Sequence, residues 1–484
     1  NWDRIYITSL FSFEFKEIAR SIDTALAYAR GDTSKVFVGG IAASLMTKEF
    51  TKEPRWRGVR FITGLLSEAP AVSLQLDDFA EELYSDDRQG TSIEDLVPDY
   101  SILDQIKDQY VYPVNDAYFL YASRGCVRKC HFCGVPKLEG DQRDSQSISV
   151  LMKAIEERYG PKRDLMLMDN NVVASANYRE IIAEIRDSGF QRGAMMQRKG
   201  RPAVQRRVDF NQGVDARILC KDKMYLEEMA TIAIKPLRIA FDHLGLRKPY
   251  IAAVNMAADV DLTELSNYML YNFKDTPADL YERMKINVDL SVKREISIFS
   301  FPMRYQPTDR PDRNFVSEKW NQYYLRSMQI ILQATHGIVS SSPLFFKEAF
   351  GNTQEEFEAL LLLPQHYLFN RIWYKVLSGK AELEEFNHEF KALSMSERHE
   401  LAALLSSTKP KGFAGLIGTA ESVKVNRILN YYPSISESEE LSIWTQMKTP
   451  EVKSVVEAYK EERALAHVIP DDELVEDAGL VEVA

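Results

Sequence analysis

Tyr121-Ala122-Ser123-Arg124-Gly125-Cys126-Val127-Arg128-Lys129-Cys130-His131-Phe132-Cys133-Gly134-Val135-Pro136 is the stretch on which the reading of this chain turns. Three thiols are separated by three and then by two residues. That spacing lets a short loop wrap one corner of an iron–sulfur cube, with Cys126, Cys130 and Cys133 each taking a different iron. Ordinary electron-transfer clusters are held by four cysteines. The remaining cysteine, Cys220, lies far along the chain, so the fourth iron is left open for an exchangeable ligand. The alternative is a zinc knuckle with His131 or Cys220 as fourth ligand. His131 sits between two of the cysteines and would have to fold back sharply. Zinc ribbons also pair two Cys-x-x-Cys knuckles, and one is present here.

The segments around this loop alternate strand and helix. Apolar strands are readable at 117–121, 165–168, 208–214, 237–241, 265–270 and 296–301. Helical spacing between them is marked by Leu151, Ala154 and Ile155, by Tyr178, Ile181, Ile182 and Ile185, and by Tyr281 and Met284 behind a Thr276-Pro277 start. Six alternations predict an α/β fold, a parallel (β/α)6 barrel, complete or partial, with its chemistry at the carboxyl ends of the strands. The cysteine loop follows the first strand, at such an end.

Cys-x3-Cys-x2-Cys with aromatic Phe132 before the last cysteine resembles the signature of the radical S-adenosylmethionine superfamily. The resemblance covers 116 to 306. It implies a partial (β/α)6 barrel and a [4Fe–4S] cluster whose open iron is chelated by the amino and carboxylate groups of S-adenosylmethionine. Reductive cleavage then yields a 5′-deoxyadenosyl radical that abstracts hydrogen from a substrate. Phe132 would pack near the adenine. The family's contact to the methionine amino group falls on the second strand end, Asp169-Asn170-Asn171, where an amine favours carboxylate or amide oxygens. The same residues are ordinary turn formers ahead of a helix cap at Ser175.

Further polar residues stand at the later strand ends. Gln212, Asp215 and Arg217 can bind ribose hydroxyls, a carboxylate or the substrate, and an Asp215–Arg217 ion pair is the plainer reading. Asp242 and His243 end the fourth strand, and Asn272 follows the fifth. All three are pocket candidates, although a lone histidine is more often structural.

Residues 1–84 read as a small doubly wound α/β unit, with a strand at 4–7, a helix at 13–29 and a strand at 35–40. Thr8-Ser9-Leu10 and Gly39-Gly40 resemble the latter half of a cobalamin-binding domain. That resemblance makes cobalamin a possible cofactor and favours methyl transfer or rearrangement at an unactivated carbon. The Asp-x-His-x-x-Gly motif whose histidine ligates cobalt is not in the sequence. A polar linker (85–115) follows, then the barrel (116–306), a helical domain (307–470) and an acidic tail (471–484). In the helical domain Trp320, Tyr323, Tyr324, Tyr367, Trp373 and Tyr374 recur at helical spacing and read as core.

The stretch 191–207 carries six basic side chains and no acid. It reads as a long solvated loop near the barrel rim, with Arg198 and Arg201 as candidate substrate contacts. The opposing functional class is a zinc-stabilised, non-catalytic nucleic-acid adaptor using this loop. A net charge of −11 over 484 residues disfavours general affinity for nucleic acid or an anionic membrane. No run approaches the ~20 apolar residues of a membrane span. Four cysteines are too few for a disulfide framework, and a cytoplasmic location follows. The start at Asn1-Trp2-Asp3-Arg4, with no methionine and no signal segment, reads as a point inside a longer product. A radical enzyme also needs an electron donor, such as a flavodoxin or ferredoxin.

Overall fold

The computed structural model describes residues 2–65, 96–110 and 114–464. The chain divides into two compact units between Ser317 and Glu318. The expected acidic tail, and residues 85–95 and 111–113 of the expected linker, lie outside the described residues.

The first unit opens with β1 (Ile5–Ser9), β2 (Val36–Gly40) and β3 (Arg60–Phe61), all parallel and in the order β1-β2-β3. The helix Phe15–Tyr28 crosses from β1 to β2 and buries Ile18, Ala19, Ile22 and Ala25. A doubly wound sheet needs a reversal of strand order. The three described strands run one way only, so that part of the expectation has no counterpart here. Tyr100, in the expected linker, is instead buried, and its hydroxyl accepts the Phe119 N–H at 2.8 Å.

All six expected strands are present. They are β4 (Ala117–Leu120), β7 (Asp164–Leu167), β10 (Val208–Asp209), β11 (Leu237–Arg238), β12 (Glu264–Tyr271) and β13 (Ser297–Arg304). β5 (Ser123–Arg124) and β6 (Arg143–Asp144) form an antiparallel clip after β4, and β8 (Met195–Arg198) and β9 (Arg201–Gln205) form a hairpin before β10. Parallel pairing joins β4 to β7, β7 to β10, β11 to β12 and β12 to β13. Parallel bridges at Val208–Ile234 and Val214–Ile239 link β10 to the β11 segment. The six therefore follow one another in space as they do in the chain. β7 is buried along its whole length, as a strand covered on both faces should be.

Helix starts follow their local chemistry. Pro277–Arg294 begins with a capping box between Thr276 and Asp279, has Pro277 in its first turn and ends on Lys293 and Arg294. The basic stretch 191–207 is a correction to the sequence reading. It is a β-hairpin turned at Lys199-Gly200, where Gly200 has φ +71°. It precedes β10, so it stands at the amino end of the strands. Its Arg192 pairs with Asp261 in the turn ahead of β12.

The second unit is helical among its described residues. Helices Gln322–Ala334, Gln354–Leu361, Lys380–Lys391 and Met395–Ser406 enclose a core containing Tyr323, Tyr367, Trp373, Tyr374, Phe386 and Phe390. Tyr323, Tyr367, Trp373 and Tyr374 are core as their spacing predicted, Trp320 is buried, and Tyr324 packs partly buried against this core. No helix among the described residues is long and apolar enough to cross a membrane.

Candidate active site

The cysteine loop occupies residues 125–142, between the two arms of the β5–β6 clip. The clip pins the base of the loop, and Gly125 makes its first turn possible. Gly125 has φ +72°, and a Cβ there would lie 2.6 Å from the Asp141 carbonyl carbon. Glu139 receives the Gly125 N–H at 2.9 Å and the Asn170 side-chain amide at 2.9 Å. The Cys126 N–H reaches the Gly140 carbonyl at 3.3 Å. The loop is thereby tied to the end of β7 without using any thiol.

Two sulfurs accept backbone N–H groups: Cys126 from Arg128 and Cys133 from Val135, both at 3.4 Å. Burial pushes the Cys130 and Cys133 thiols above their ordinary pKa, so metal uptake must displace their protons. Phe132 packs edge-on against Phe273, just beyond β12, with ring centres 5.7 Å apart.

The residues singled out at the strand ends separate into two groups. Asp169 and Asn272 turn inward, toward backbone groups. The Asp169 carboxylate accepts the N–H groups of Ala122 (2.9 Å) and Ser123 (2.5 Å) and the Ser123 hydroxyl (2.6 Å). It fixes the chain where it leaves β4, and burial pushes its pKa up to about 6 against those hydrogen bonds. The Asn272 side chain donates to the Tyr305 and Phe315 carbonyls and accepts the Ser317 N–H. Its hydrogen-bonding capacity is consumed in holding the segment after β13.

The second group is centred on Asp215. Asp215 accepts Arg128 Nε at 2.5 Å, Arg217 Nε at 2.8 Å and the Arg217 backbone N–H at 2.9 Å. The plainer reading of Asp215–Arg217 as an ion pair is thus what the geometry contains. Burial works to raise the Asp215 pKa, and the hydrogen bonds from Arg217 and Arg128 outweigh it, leaving it below the ordinary value. Asp242, Arg217 and Asp215 all act electrostatically on Cys130. Burial pushes Asp242 up to about 6, opposed by Arg283 and Arg217. Burial, with those two arginines, pushes the neighbouring His243 down. Gln212 is exposed on the turn before Asp215. Arg198 and Arg201 lie on the β8–β9 hairpin, at the opposite end of the strands from the thiols.

Asn171 is buried. Its Oδ1 accepts the Asp215 N–H at 3.2 Å, and its Nδ2 has no hydrogen-bond partner. A buried donor left open beside a pair of guanidinium groups suits an anionic or carbonyl oxygen from a ligand. The donor set also fits a cluster with one open iron. His131 is exposed, and the Cys220 thiol donates to the Arg217 carbonyl at 3.7 Å. Among the described residues no three His, Cys, Asp or Glu side chains are gathered closely enough to enclose a single ion. Thiols that each take a different iron have no need to converge on one point.

Sequence reasoning passed over Arg128, Glu139 and Arg283. Arg283 is wholly buried, pairs with Asp275 at 2.9 Å and donates to the carbonyls of Phe241, Asp242 and Leu270. It ties the carboxyl ends of β11 and β12 together beneath Asp242. Its only signal was a charge on an otherwise buried helix face.

No protein-family model matches the sequence, and no curated protein resembles it in sequence. Solved structures do resemble the fold. OxsB, a cobalamin-dependent S-adenosylmethionine radical enzyme solved with aqua-cobalamin and S-adenosylmethionine, is 12% identical with a TM-score of 0.44, covering 97% of this chain and 73% of that one. TsrM from Kitasatospora setae, a radical S-adenosylmethionine methyltransferase solved with cobalamin and a [4Fe–4S] cluster, is 12% identical with a TM-score of 0.39 over 63% of this chain. Streptococcus suis SuiB bound to S-adenosylmethionine is 13% identical with a TM-score of 0.31, covering 61% of this chain and 60% of that one. The match spans less than two thirds of TsrM, 66% of its length. At these values the likeness assigns no residue, and the roles given to side chains rest on the geometry above.

Proposed function

We propose that this chain is a radical S-adenosylmethionine enzyme whose cluster is held by Cys126, Cys130 and Cys133. One observation carries the reading. Three thiols, two of them accepting backbone N–H groups, sit on a clipped loop at the carboxyl end of the first of six parallel strands in chain order. In this reading the six strands are a partial (β/α)6 barrel. What a bound [4Fe–4S] cluster supplies is the electron that cleaves S-adenosylmethionine to methionine and a radical able to take hydrogen from an unactivated carbon.

The chain's own residues do the positioning. The free Asn171 Nδ2 and the guanidinium groups of Arg128 and Arg217 offer donors to a carboxylate beside Cys130. Asp242 and His243 line the approach from β11. Phe132, braced by Phe273, closes the side toward β12 and offers a ring face to a planar base. An external donor such as a flavodoxin or ferredoxin supplies the electron in a reducing cytoplasm.

The test is anaerobic reconstitution with iron and sulfide, then dithionite and S-adenosylmethionine, assaying 5′-deoxyadenosine. The expected result is product from the wild type and none from Cys126→Ala, Cys130→Ala or Cys133→Ala. A colourless protein that retains zinc would overturn the proposal.

A cobalamin-using reaction, methyl transfer or rearrangement, has its own supporting observation. At the carboxyl ends of β1 and β2 the Ser9 hydroxyl donates to the Gly39 carbonyl at 2.7 Å and accepts the Ala43 N–H at 2.9 Å. Gly40, at φ +97°, lets the backbone turn there, and Leu10, Phe11 and Ile41 are exposed around it. That is an apolar rim at the end of an α/β sheet where ligands bind. Titration with hydroxocobalamin, followed by its visible spectrum, decides whether the rim takes it up.

A further inference from the structure

Arg128 lies inside the cysteine triplet, yet its side chain serves a distant strand. Its backbone N–H donates to Cys126 Sγ at 3.4 Å, and its Nε donates to Asp215 Oδ2 at 2.5 Å. The two members of this pair differ in kind. Asp215 also caps the helix Ala216–Leu219 and holds Arg217 through a second Nε contact. Its side chain is 7% exposed, whereas that of Arg128 is 36% exposed.

We propose that Arg128 is a positioning residue, a latch that fixes the cysteine loop over the carboxyl end of the β10 segment and so sets the N–H···S contact at Cys126. The neighbouring cation, Lys129, pairs with Asp141 inside the same loop, and both side chains are exposed. The Gly125 and Cys126 N–H groups also stay within the loop. Among the described residues, Arg128 makes the hydrogen bond by which residues 126–133 reach another parallel strand. A buried carboxylate must keep a charged partner. Asp215 keeps Arg217 when Arg128 is removed, so the strand end survives while the loop is released. The latch is a property of the chain itself. Its spectroscopic consequence rests on the cluster reading above.

Amide hydrogen exchange of the full-length, metal-free chain tests the latch directly. In Arg128→Ala the amides of 126–133 should exchange about tenfold faster or more, the scale of one charge-assisted bond to a buried group. Those of 208–215 should keep their wild-type rate. Arg128→Lys should fall between, and Lys129→Ala should match the wild type. In the Asp215→Asn background, Arg128→Ala should add nothing, because the partner is already gone. Wild-type exchange in Arg128→Ala, or an undiminished effect in that background, would overturn the latch.

After reconstitution, Arg128→Ala should show a shifted electron paramagnetic resonance signal and a more negative reduction potential, because a donor to a cluster sulfur has been loosened. An unchanged signal and potential despite faster exchange would remove the link to Cys126. If the wild type takes up no iron and sulfide, the cluster reading falls, and the exchange rates still decide the latch.

Discussion

Replacing Gly125 with alanine perturbs the cysteine loop at the one backbone position that neither rotamer nor solvent can relieve. Gly125 sits at φ +72°, where an L side chain costs roughly 1–2 kcal/mol. The new methyl would also lie 2.6 Å from the Asp141 carbonyl carbon and 3.0 Å from the Gly140 oxygen, both backbone. Backbone must move to admit it, and forced displacement of packed structure costs a further ~1–3 kcal/mol. Together these predict a loss of about 3 kcal/mol for Gly125→Ala. Gly140 provides the control. It shares φ +72°, but nothing lies within 4 Å of a Cβ built there, so Gly140→Ala should cost only the ~1–2 kcal/mol of the left-handed conformation. Denaturant unfolding of both variants, with iron retention after reconstitution, measures the difference. Gly125→Ala should lose most of its iron and Gly140→Ala little. Equal stabilities and equal iron would refute the argument that the Asp141 carbonyl dictates the glycine.

Three other outcomes follow from the same geometry. Asp169 has a folded pKa of about 6 against an ordinary 3.8, so the folded state holds a proton that the unfolded state releases between those values. Its contribution is greatest below about pH 4 and is lost as pH rises through 6, by up to about 3 kcal/mol. Unfolding free energies at pH 4.5 and 7.5 should differ less in Asp169→Asn than in the wild type. His366 runs the other way, its folded pKa pushed down to about 4 by burial beside Tyr367 and Tyr374. Stability of the helical unit is complete above pH 6.5 and falls by roughly 2 kcal/mol by pH 5. His366→Phe should abolish that acid sensitivity in exchange rates of 365–376. Arg283→Met removes the buried guanidinium paired with Asp275 and the donors to three strand-end carbonyls, and should cost ~3–5 kcal/mol in denaturant unfolding. Asp275→Asn in the same chain should recover part of it.

The sequence showed more of the fold than of the site. Six strands were readable because parallel strands covered on both faces are near-continuous apolar runs, and Thr276-Pro277 announced its helix through capping chemistry. The thiols were legible because their spacing serves little else. What Asp169 and Asn272 touch was not legible, for a definite reason. A polar residue at a strand end has the same appearance whether it faces a ligand or a backbone amide, and here both face backbone. Arg128 and Arg283 had the opposite problem, since their partners lie 87 positions away or in another strand's carbonyls. The 191–207 stretch was read from its charge, and charge says nothing about the Lys199-Gly200 turn that folds it into a hairpin.

That hairpin has a practical consequence. It leaves the strands at their amino ends, while every group tied to the thiols stands at the carboxyl ends. The Lys199-Gly200 turn is therefore a natural attachment point. A fluorophore, an affinity handle or an inserted domain placed there can report on or immobilise the protein without lengthening any connection that holds the cysteine loop.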